Sequence, residues 1–131
     1  MNFDFSDDQK MLKDQARKFL EDKCSYADVR TVLESDASHH DEVWQGLCDL
    51  GFTGAAIPEE YGGLGLGALE LCVVAEELGR CAAPVPFSSS IYMAAEALKI
   101  GGSETLKQTW LPKLASGEII GTLAAAEGPA A

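Results

Sequence analysis

Basic residues, long apolar runs and secretion signals are scarce or missing in this sequence. Only 10 lysines and arginines stand against 21 aspartates and glutamates, which gives a formal net charge of −11. This balance excludes a protein that tracks nucleic-acid phosphates or binds an anionic membrane surface, because both need clustered cations. No apolar run reaches the ~18 residues of a transmembrane helix, and the first residues lack the basic and apolar regions of a signal peptide. We therefore expect a cytoplasmic protein that binds neither nucleic acid nor membrane.

Clustered metal ligands are also missing. No two of the four cysteines form a C-x-x-C pair, which argues against a zinc site. The cysteines are Cys24, Cys48, Cys72 and Cys81. Each lies on the apolar face of a predicted helix, which indicates small buried side chains in a reducing compartment. The adjacent His39 and His40 would point about 100° apart on a helix, so we predict that they form no metal site.

The sequence does have the composition and periodicity of a helical domain. Hydrophobic residues make up 47% of the 131 residues, enough for a core that buries roughly two-thirds of the unfolded surface. Ser6 and Gln9 form a capping box, and apolar residues then recur at three- and four-residue steps, which predicts an amphipathic helix. The predicted helices over 68–82 and 87–100 are apolar around most of their circumference, so we expect them to form a buried hairpin. The further predicted helices cover 41–50, 68–82 and 87–100, and a fifth begins at Ser103.

Glycine and proline mark the connections between these helices. Gly51 lies where a left-handed C-cap is expected for the helix over 41–50. Four glycines within residues 62–67 predict a loop that feeds the next helix. This loop matches neither a dinucleotide-binding nor a Walker A pattern. We interpret it as a tight connector, with anion binding at the helix N-terminus as the alternative. Pro112 is expected to kink or end the fifth helix near Leu111.

The last residues change character. The segment over 119–126 is typical of a strand, although it is rich in alanine. A lone strand has no partner for its backbone hydrogen bonds, so the sequence predicts the start of a second, β-rich domain. The expected fold is an all-α domain of orthogonal and up-down helices over residues 1–118, with the first strand of a truncated β-domain over 119–131.

Three motifs in this order resemble the acyl-CoA dehydrogenase family. Residues 58–65, P-E-E-Y-G-G-L-G, are similar to the family's P-E-x-Y-G-G-x-G loop and follow a W-x-x-L-x-x-L-G-F segment over 44–52. The acidic pair Glu76 and Glu77 lies on the helix after this loop. Residues 107–118, K-Q-T-W-L-P-K-L-A-S-G-E, are similar to the family's K-x-x-x-L-P-x-L-A-S-G-E. The resemblance spans essentially the whole chain.

The resemblance implies a protein of three parts: an N-terminal helical domain, a middle β-domain and a C-terminal helical bundle. It implies α,β-dehydrogenation of an acyl-CoA thioester, in which a glutamate removes the α-proton and FAD takes a hydride from the β-carbon. That glutamate lies beyond the middle domain in the family, so we expect no catalytic residue in this chain and no activity of the chain alone. Four acidic residues are expected to be surface or loop-tethering carboxylates: Glu59, Glu60, Glu76 and Glu77.

For substrate binding, the resemblance implies that this domain supplies one wall of the acyl pocket, on the helix over 87–100. The expected substrate-binding residues recur at three- and four-residue spacing and are Ser89, Ser90, Met93 and Ala97. Met93 and Ala97 have an alternative role as plain core residues.

For cofactor binding, the end of the chain resembles the family's flavin-contacting strand. The expected cofactor-binding groups are the backbone atoms of Leu123, Ala125 and Ala126. Ala126 stands where the family often has threonine, and Gly128 separates Glu127 from Pro129. The missing hydroxyl removes one hydrogen bond to the flavin. The alternative to an enzyme domain is therefore a non-catalytic helical interaction module, or the degenerate subunit of a heteromeric acyl-CoA dehydrogenase. The expected partners are acyl-CoA and either a second copy or a related subunit.

Overall fold

The computed structural model describes residues 4–126 and 128, and within them the chain is all-α as predicted. A π-helical segment over Ser88–Ala95 runs directly into the short α-helix Glu96–Gly101. Short 3-10 turns lie at Phe52–Gly54 and Glu59–Tyr61. The α-helices are α1 Asp7–Lys23, α2 Tyr26–Leu33, α3 Asp41–Asp49, α4 Ala68–Arg80, α5 Glu96–Gly101 and α6 Glu104–Ala115. No helix in this part of the chain combines the length and apolar content needed to cross a bilayer.

Side-chain caps set where the first three helices begin. The predicted box at α1 is confirmed: the Gln9 amide donates to Ser6 Oγ at 3.2 Å, and Gln9 Oε1 accepts from the Ser6 amide at 2.9 Å. Ser25 and Asp28 form a second box at α2. His40 caps α3, because its Nδ1 accepts from the Val43 amide at 3.3 Å. Between residues 4 and 126 and at 128, no cluster of three or more His, Cys, Asp or Glu could hold a metal ion.

Two hydrophobic clusters hold the helices together. The larger one buries the facing sides of α1, α3 and α4 around Phe52 and Phe87, each 1% exposed. The smaller one packs Ile57 and Tyr61 against α6. The Thr53 hydroxyl connects the turn at Phe52–Gly54 to the end of α6, because it donates to the Ala115 carbonyl at 2.7 Å. The first part of the connection between α3 and α4, residues 52–57, is therefore part of the core, whereas residues 64–67 are exposed.

Pro112 was predicted to kink or end its helix near Leu111, and it does not end it, because α6 continues to Ala115. Proline removes one backbone donor inside the helix. Leu111, Leu114 and Ala115 are all buried on either side of this position. Their packing compensates for the missing hydrogen bond, so tertiary contacts outweigh the local preference.

The predicted helix over 87–100 exists, but it is not one regular α-helix. Its first half, Ser88–Ala95, is π-helical, and only Glu96–Gly101 is α-helical. A π-helix has a wider turn, with i→i+5 hydrogen bonds. The three- and four-residue spacing that grouped Ser89, Ser90, Met93 and Ala97 therefore does not describe one face of this segment.

The predicted strand over 119–126 is not formed. Residues 120–126 belong to no helix or strand. Two hydrogen bonds hold the start of this C-terminal segment: the Ile119 amide donates to the Lys113 carbonyl at 3.3 Å, and the Gly121 amide donates to Ser90 Oγ at 3.2 Å. A strand needs a paired neighbour, and the described chain offers none. Glu127 and Pro129, which the family motif involves, lie outside the described residues.

Candidate functional site

The glycine-rich loop before α4 is a connector and not an anion site. Its amides are used inside the protein: Leu64 donates to Gly54, Gly65 to Ile57 and Leu66 to Ala55, at 2.8 to 2.9 Å. The Glu70 carboxylate occupies the N-terminus of α4 and accepts from the Gly67 amide at 2.9 Å. A carboxylate at this position already neutralises the positive end of the helix, which leaves no place for a phosphate. The structure thus decides between the two interpretations of this loop.

Glu77 differs from the other acidic residues of the motifs. Glu59, Glu60 and Glu76 are exposed as predicted, whereas the Glu77 side chain is fully buried between α1 and α4. Arg17 donates to both Glu77 oxygens at 2.8 and 3.0 Å, and Arg80 donates to one at 2.8 Å. These hydrogen bonds, Arg17 first, lower the pKa of Glu77 to about 2. The prediction of a surface carboxylate was wrong here because α1 covers this face of α4.

The prediction that the four cysteines are buried is confirmed for two residues and wrong for one. Cys24 and Cys81 are buried, Cys48 is half-buried, and Cys72 is exposed on α4. All four are free thiols. Burial raises the pKa of Cys24 to about 12. Cys72 instead lines a cavity at the surface of α4.

The four predicted substrate-binding residues lie in different surroundings. Ser90 is fully buried, and its Oγ accepts the Gly121 amide at 3.2 Å. Ser89 is half-buried and donates to the Pro86 carbonyl at 3.1 Å. Met93 is 45% exposed, and Ala97 lines a groove beside the C-terminal segment. Ser90 therefore positions the C-terminal segment, which the sequence pattern alone did not reveal.

Replacing Ser90 with alanine is expected to release the C-terminal segment from the π-helical segment. The lost hydrogen bond should lower the free energy of unfolding by about 1 kcal/mol. Hydrogen exchange of the Gly121 amide should accelerate. Ser89→Ala is the matched control, because its hydroxyl bonds only locally, to the Pro86 carbonyl, and it should leave Gly121 exchange unchanged. Equal Gly121 exchange in wild type and Ser90→Ala would contradict this role.

Two cavities lie side by side between α4 and the π-helical segment. The first, which we term the Cys72 chamber, has a volume of about 380 Å³ and is lined by Ala68, Leu71, Cys72, Ala75, Tyr92 and Glu96. The second, the Val85 chamber, has a volume of about 350 Å³, and Leu78, Val85, Phe87 and Ser88 are among its lining residues. Tyr92 and Ala75 line both chambers. Sequence analysis did not select Tyr92, although it lies three residues after Ser89.

Tyr92 is held in place at both ends. Its hydroxyl donates to the Leu71 carbonyl at 3.1 Å, and its ring packs edge-to-face on Phe87 with centroids 5.4 Å apart. Burial raises the pKa of Tyr92, so the hydroxyl remains a neutral donor. The ring is therefore a fixed wall and not a mobile surface side chain.

The predicted cofactor-binding residues lie on the exposed C-terminal segment. Leu123 is 46% exposed and lines a groove of about 500 Å³ with α5 and α6, while Ala125 and Ala126 are exposed. Within the described part of the chain, the backbone groups of these three residues make no hydrogen bond. They can therefore pair with a polar ring edge through the main chain, but Ala126 has no side-chain hydroxyl to add.

Comparison with known families identifies this helical domain. Residues 6–118 match the family described as "Acyl-CoA dehydrogenase, N-terminal domain". The chain belongs to the acyl-CoA dehydrogenase family, as the sequence motifs indicated.

Individual relatives agree with this assignment. The chain is 35% identical over 124 residues to the mitochondrial isovaleryl-CoA dehydrogenase of Bos taurus, and this match covers 93% of the chain but 29% of that protein. It superposes with a TM-score of 0.86 and 32% identity on a structure of the ChsE4-ChsE5 complex from Mycobacterium tuberculosis, covering 98% of this chain and 36% of that one. An acyl-CoA dehydrogenase complexed with FAD from Bacillus anthracis gives a TM-score of 0.78 at 28% identity, covering 89% of this chain and 20% of that one. The chain thus spans about a third or less of the length of these relatives.

Proposed function

We propose that residues 1–118 form the N-terminal helical domain of a flavin-dependent acyl-CoA dehydrogenase, and that residues 119–131 open the β-domain that follows it. The reaction is α,β-dehydrogenation of an acyl-CoA thioester. The observation that carries this proposal is the family match over residues 6–118. The all-α fold and the similarity to longer dehydrogenases support it.

In this proposal the domain shapes the substrate pocket and does not supply the base. Two of its buried or tethered carboxylates are already occupied: Glu77 is bound by Arg17 and Arg80, and Glu70 caps α4. A carboxylate whose pKa is lowered to about 2 is a poor proton acceptor. The base that the family resemblance implies for the α-proton is a glutamate beyond the middle domain. Ser89, Ser90, Met93 and Ala97 remain our proposed contributors to the acyl-pocket wall, Ser90 by positioning the segment beside it.

The C-terminal segment fits a flavin through its main chain only. FAD, when bound, supplies the acceptor for the substrate's β-hydride. Leu123, Ala125 and Ala126 would offer exposed backbone donors and acceptors to its ring. Ser90 holds the beginning of this segment at Gly121 and so orients the groups that follow. The missing hydroxyl at Ala126 predicts weaker flavin binding than in relatives with threonine there.

The test is made on the natural protein that contains this chain. We expect an intact mass well above the 13.9 kDa of the chain, bound FAD, and loss of flavin absorbance when an acyl-CoA substrate is added without an electron acceptor. A protein of full family length that holds FAD yet is not reduced by any acyl-CoA would contradict the proposed reaction. The isolated chain is the control and should show no activity.

A degenerate subunit of a heteromeric dehydrogenase is the second candidate. Ala126 in place of a hydroxyl residue favours it, and the complex of two different chains on which this chain superposes makes such an assembly plausible. Purification alone and together with a related subunit separates the two proposals. A protein that is colourless alone but forms a yellow complex would favour the degenerate subunit, and a yellow, active protein alone would exclude it.

We also propose that the protein works in the cytoplasm, as a self-associated assembly or with a related subunit. The four free cysteines suit a reducing compartment. Exposed apolar side chains, including Leu69 at 49% and Ile100 at 84%, are available for contacts with further domains or subunits. Sedimentation of the natural protein would show the assembly, and a strict monomer would contradict it.

A further inference from the structure

Cys24 and Cys81 occupy equivalent places on two helices that pack together. Cys24 is the C-cap residue of α1, and Cys81 is the C-cap residue of α4. Both side chains are buried in the same hydrophobic cluster, with exposures of 4% and 8%. The distance between the two caps depends on whether α1 and α4 run in the same direction.

The contacts between α1 and α4 show that the two helices are parallel. Three hydrogen-bonded pairs follow one another in the same order along both helices: Gln9 with Glu70 at 2.7 Å, Arg17 with Glu77 at 2.8 Å, and Glu21 with Arg80 at 3.2 Å. Partners that advance together place the two C-terminal ends side by side. Cys24 follows Glu21 by about one helical turn, and Cys81 comes directly after Arg80. The next pair in this series is therefore Cys24 with Cys81.

The surroundings of the Cys24 thiol agree with this pairing. Burial is the largest cause that raises the pKa of Cys24 to about 12, and the neighbouring Cys81 side chain is the next. The exposed Cys72 has a different kind of neighbour, because it lines a cavity together with Tyr92. A disulfide requires two cysteines whose Cβ atoms point towards each other. Two caps that face each other inside one cluster provide this arrangement.

We propose that Cys24 and Cys81 form a modification site, at which a peroxide oxidant creates a disulfide that joins the C-terminal ends of α1 and α4. The inference goes beyond the proposed function, because it does not require the chain to bind an acyl-CoA or a flavin. In a reducing compartment the two thiols are the resting state, and such a disulfide is transient.

The reaction proceeds in two balanced steps. Hydrogen peroxide first oxidises the Cys81 thiol to a sulfenic acid, the O–O bond breaks, and one water is released. The Cys24 sulfur then attacks the Cys81 sulfur, the S–O bond breaks, and a second water leaves. The two thiols together lose two protons and two electrons, which reduce the peroxide to water. We assign the first step to Cys81 because the raised pKa of Cys24 makes its thiolate scarce.

Both buried thiols lie close to the surface of the domain. The residues directly before and after the two cysteines are all exposed: Lys23, Ser25, Arg80 and Ala82. Ala82 has a φ of +52°, a left-handed conformation that is unfavourable for alanine. Helix ends open locally at a lower free energy than the whole domain. We therefore expect peroxide to reach Cys81 through local opening, more slowly than it reaches the exposed Cys72.

The test treats the natural, full-length protein with hydrogen peroxide under native conditions. Remaining thiols are alkylated, and the protein is digested with trypsin without reductant. Trypsin cleaves directly before each of the two cysteines, which then begin the separate peptides 24–30 and 81–99. Cys48 and Cys72 share the peptide 31–80. We expect peptide 24–30 linked to peptide 81–99 as the main disulfide product of this domain, and its loss after treatment with dithiothreitol.

Matched variants connect the disulfide to stability. Peroxide should raise the midpoint of thermal unfolding by about 5 °C in the wild type and in Cys72→Ser, because a cross-link restricts the unfolded chain. It should not raise the midpoint of Cys24→Ser. Each variant is compared with its own untreated sample, so any destabilisation by the substitution itself does not affect the result.

Two results would overturn the proposal. Cys72 reports that the oxidant has acted, because its side chain is exposed. If peptide 31–80 carries an oxidised Cys72 while peptides 24–30 and 81–99 are both recovered as free thiols, the two caps do not form a disulfide site. A main product that links peptide 24–30 or 81–99 to peptide 31–80 would show that the pairing is wrong.

Discussion

Replacing Glu77 with alanine should destabilise the domain more than replacing any exposed carboxylate. The Glu77 side chain is fully buried, and Arg17 and Arg80 together donate three hydrogen bonds to it. Removing one partner of a buried ion pair is costly because the remaining charge loses its compensation. Both arginines are about 40% exposed and can be rehydrated in part. We therefore expect a loss near the lower end of the usual range, about 3 kcal/mol, in chemical unfolding.

The matched control is Glu76→Ala, one residue away on the same helix. Glu76 pairs with Lys13 at 2.8 Å, but its side chain is 57% exposed. Exposed pairs contribute little, so this variant should lose less than about 1 kcal/mol. Similar losses of unfolding free energy in the two variants would contradict the conclusion that the hydrogen bonds of Glu77 hold α1 against α4.

The same carboxylate predicts how stability depends on pH. The pKa of Glu77 is lowered from 4.5 to about 2, chiefly by the hydrogen bonds from Arg17. A lowered pKa means that the folded state binds the proton more weakly than the unfolded chain does. The contribution is therefore complete above pH 4.5 and is lost as the pH falls towards 2. The difference in unfolding free energy between wild type and Glu77→Gln should shrink over this window, and a constant difference would contradict it.

Local signals in the sequence were sufficient where short-range chemistry decides the structure. Ser6 and Gln9 predicted the first cap because both partners lie within one helical turn. Gly51 was expected at a left-handed C-cap, and its φ is +79°. The family motifs added the assignment of the whole domain, which periodicity alone could not provide.

The failures share a different cause, which is contact between distant parts of the chain. Pro112 stays inside α6 because Leu111 and Leu114 are anchored in the core. Glu77 is buried because α1 packs over this face of α4, and its partner Arg17 lies 60 residues earlier in the chain. Cys72, which was predicted to be buried, is exposed and lines a cavity between α4 and the π-helical segment. None of these neighbours is visible in a window of a few residues.

The candidate site was only partly predictable for a related reason. The helix over 87–100 was predicted, but its π-helical turn changes which side chains share a face. Ser90 was selected as a pocket residue, and its hydrogen bond to the Gly121 amide was not foreseen. Tyr92, which lines both chambers, was not selected at all. A sequence pattern with helical spacing finds the element, whereas the orientation of each side chain depends on the turn geometry.

Alanine at Gly63 should be the most disruptive small substitution in the domain. A Cβ at this position would overlap the carbonyl of Ile57, which is itself 1% exposed and accepts the Gly65 amide at 2.9 Å. Backbone atoms cannot move aside by changing a rotamer, so the loop must shift and its hydrogen bonds to residues 54–57 must weaken. We expect a loss of 3 kcal/mol or more, about the size of the exceptional destabilisations caused by overpacking.

Two other glycines separate steric overlap from backbone conformation in this experiment. Gly62 has a φ of +80° with nothing near its absent Cβ, so Gly62→Ala should cost about 1 to 2 kcal/mol from the left-handed backbone alone. Gly79 lies within α4 with free space around it, and Gly79→Ala should stabilise the helix by up to about 1 kcal/mol. From most to least stable, the order expected from chemical unfolding is Gly79→Ala, wild type, Gly62→Ala and Gly63→Ala. If Gly63→Ala were as stable as Gly62→Ala, the loop would tolerate a side chain against Ile57, and its close approach would not be what requires glycine there.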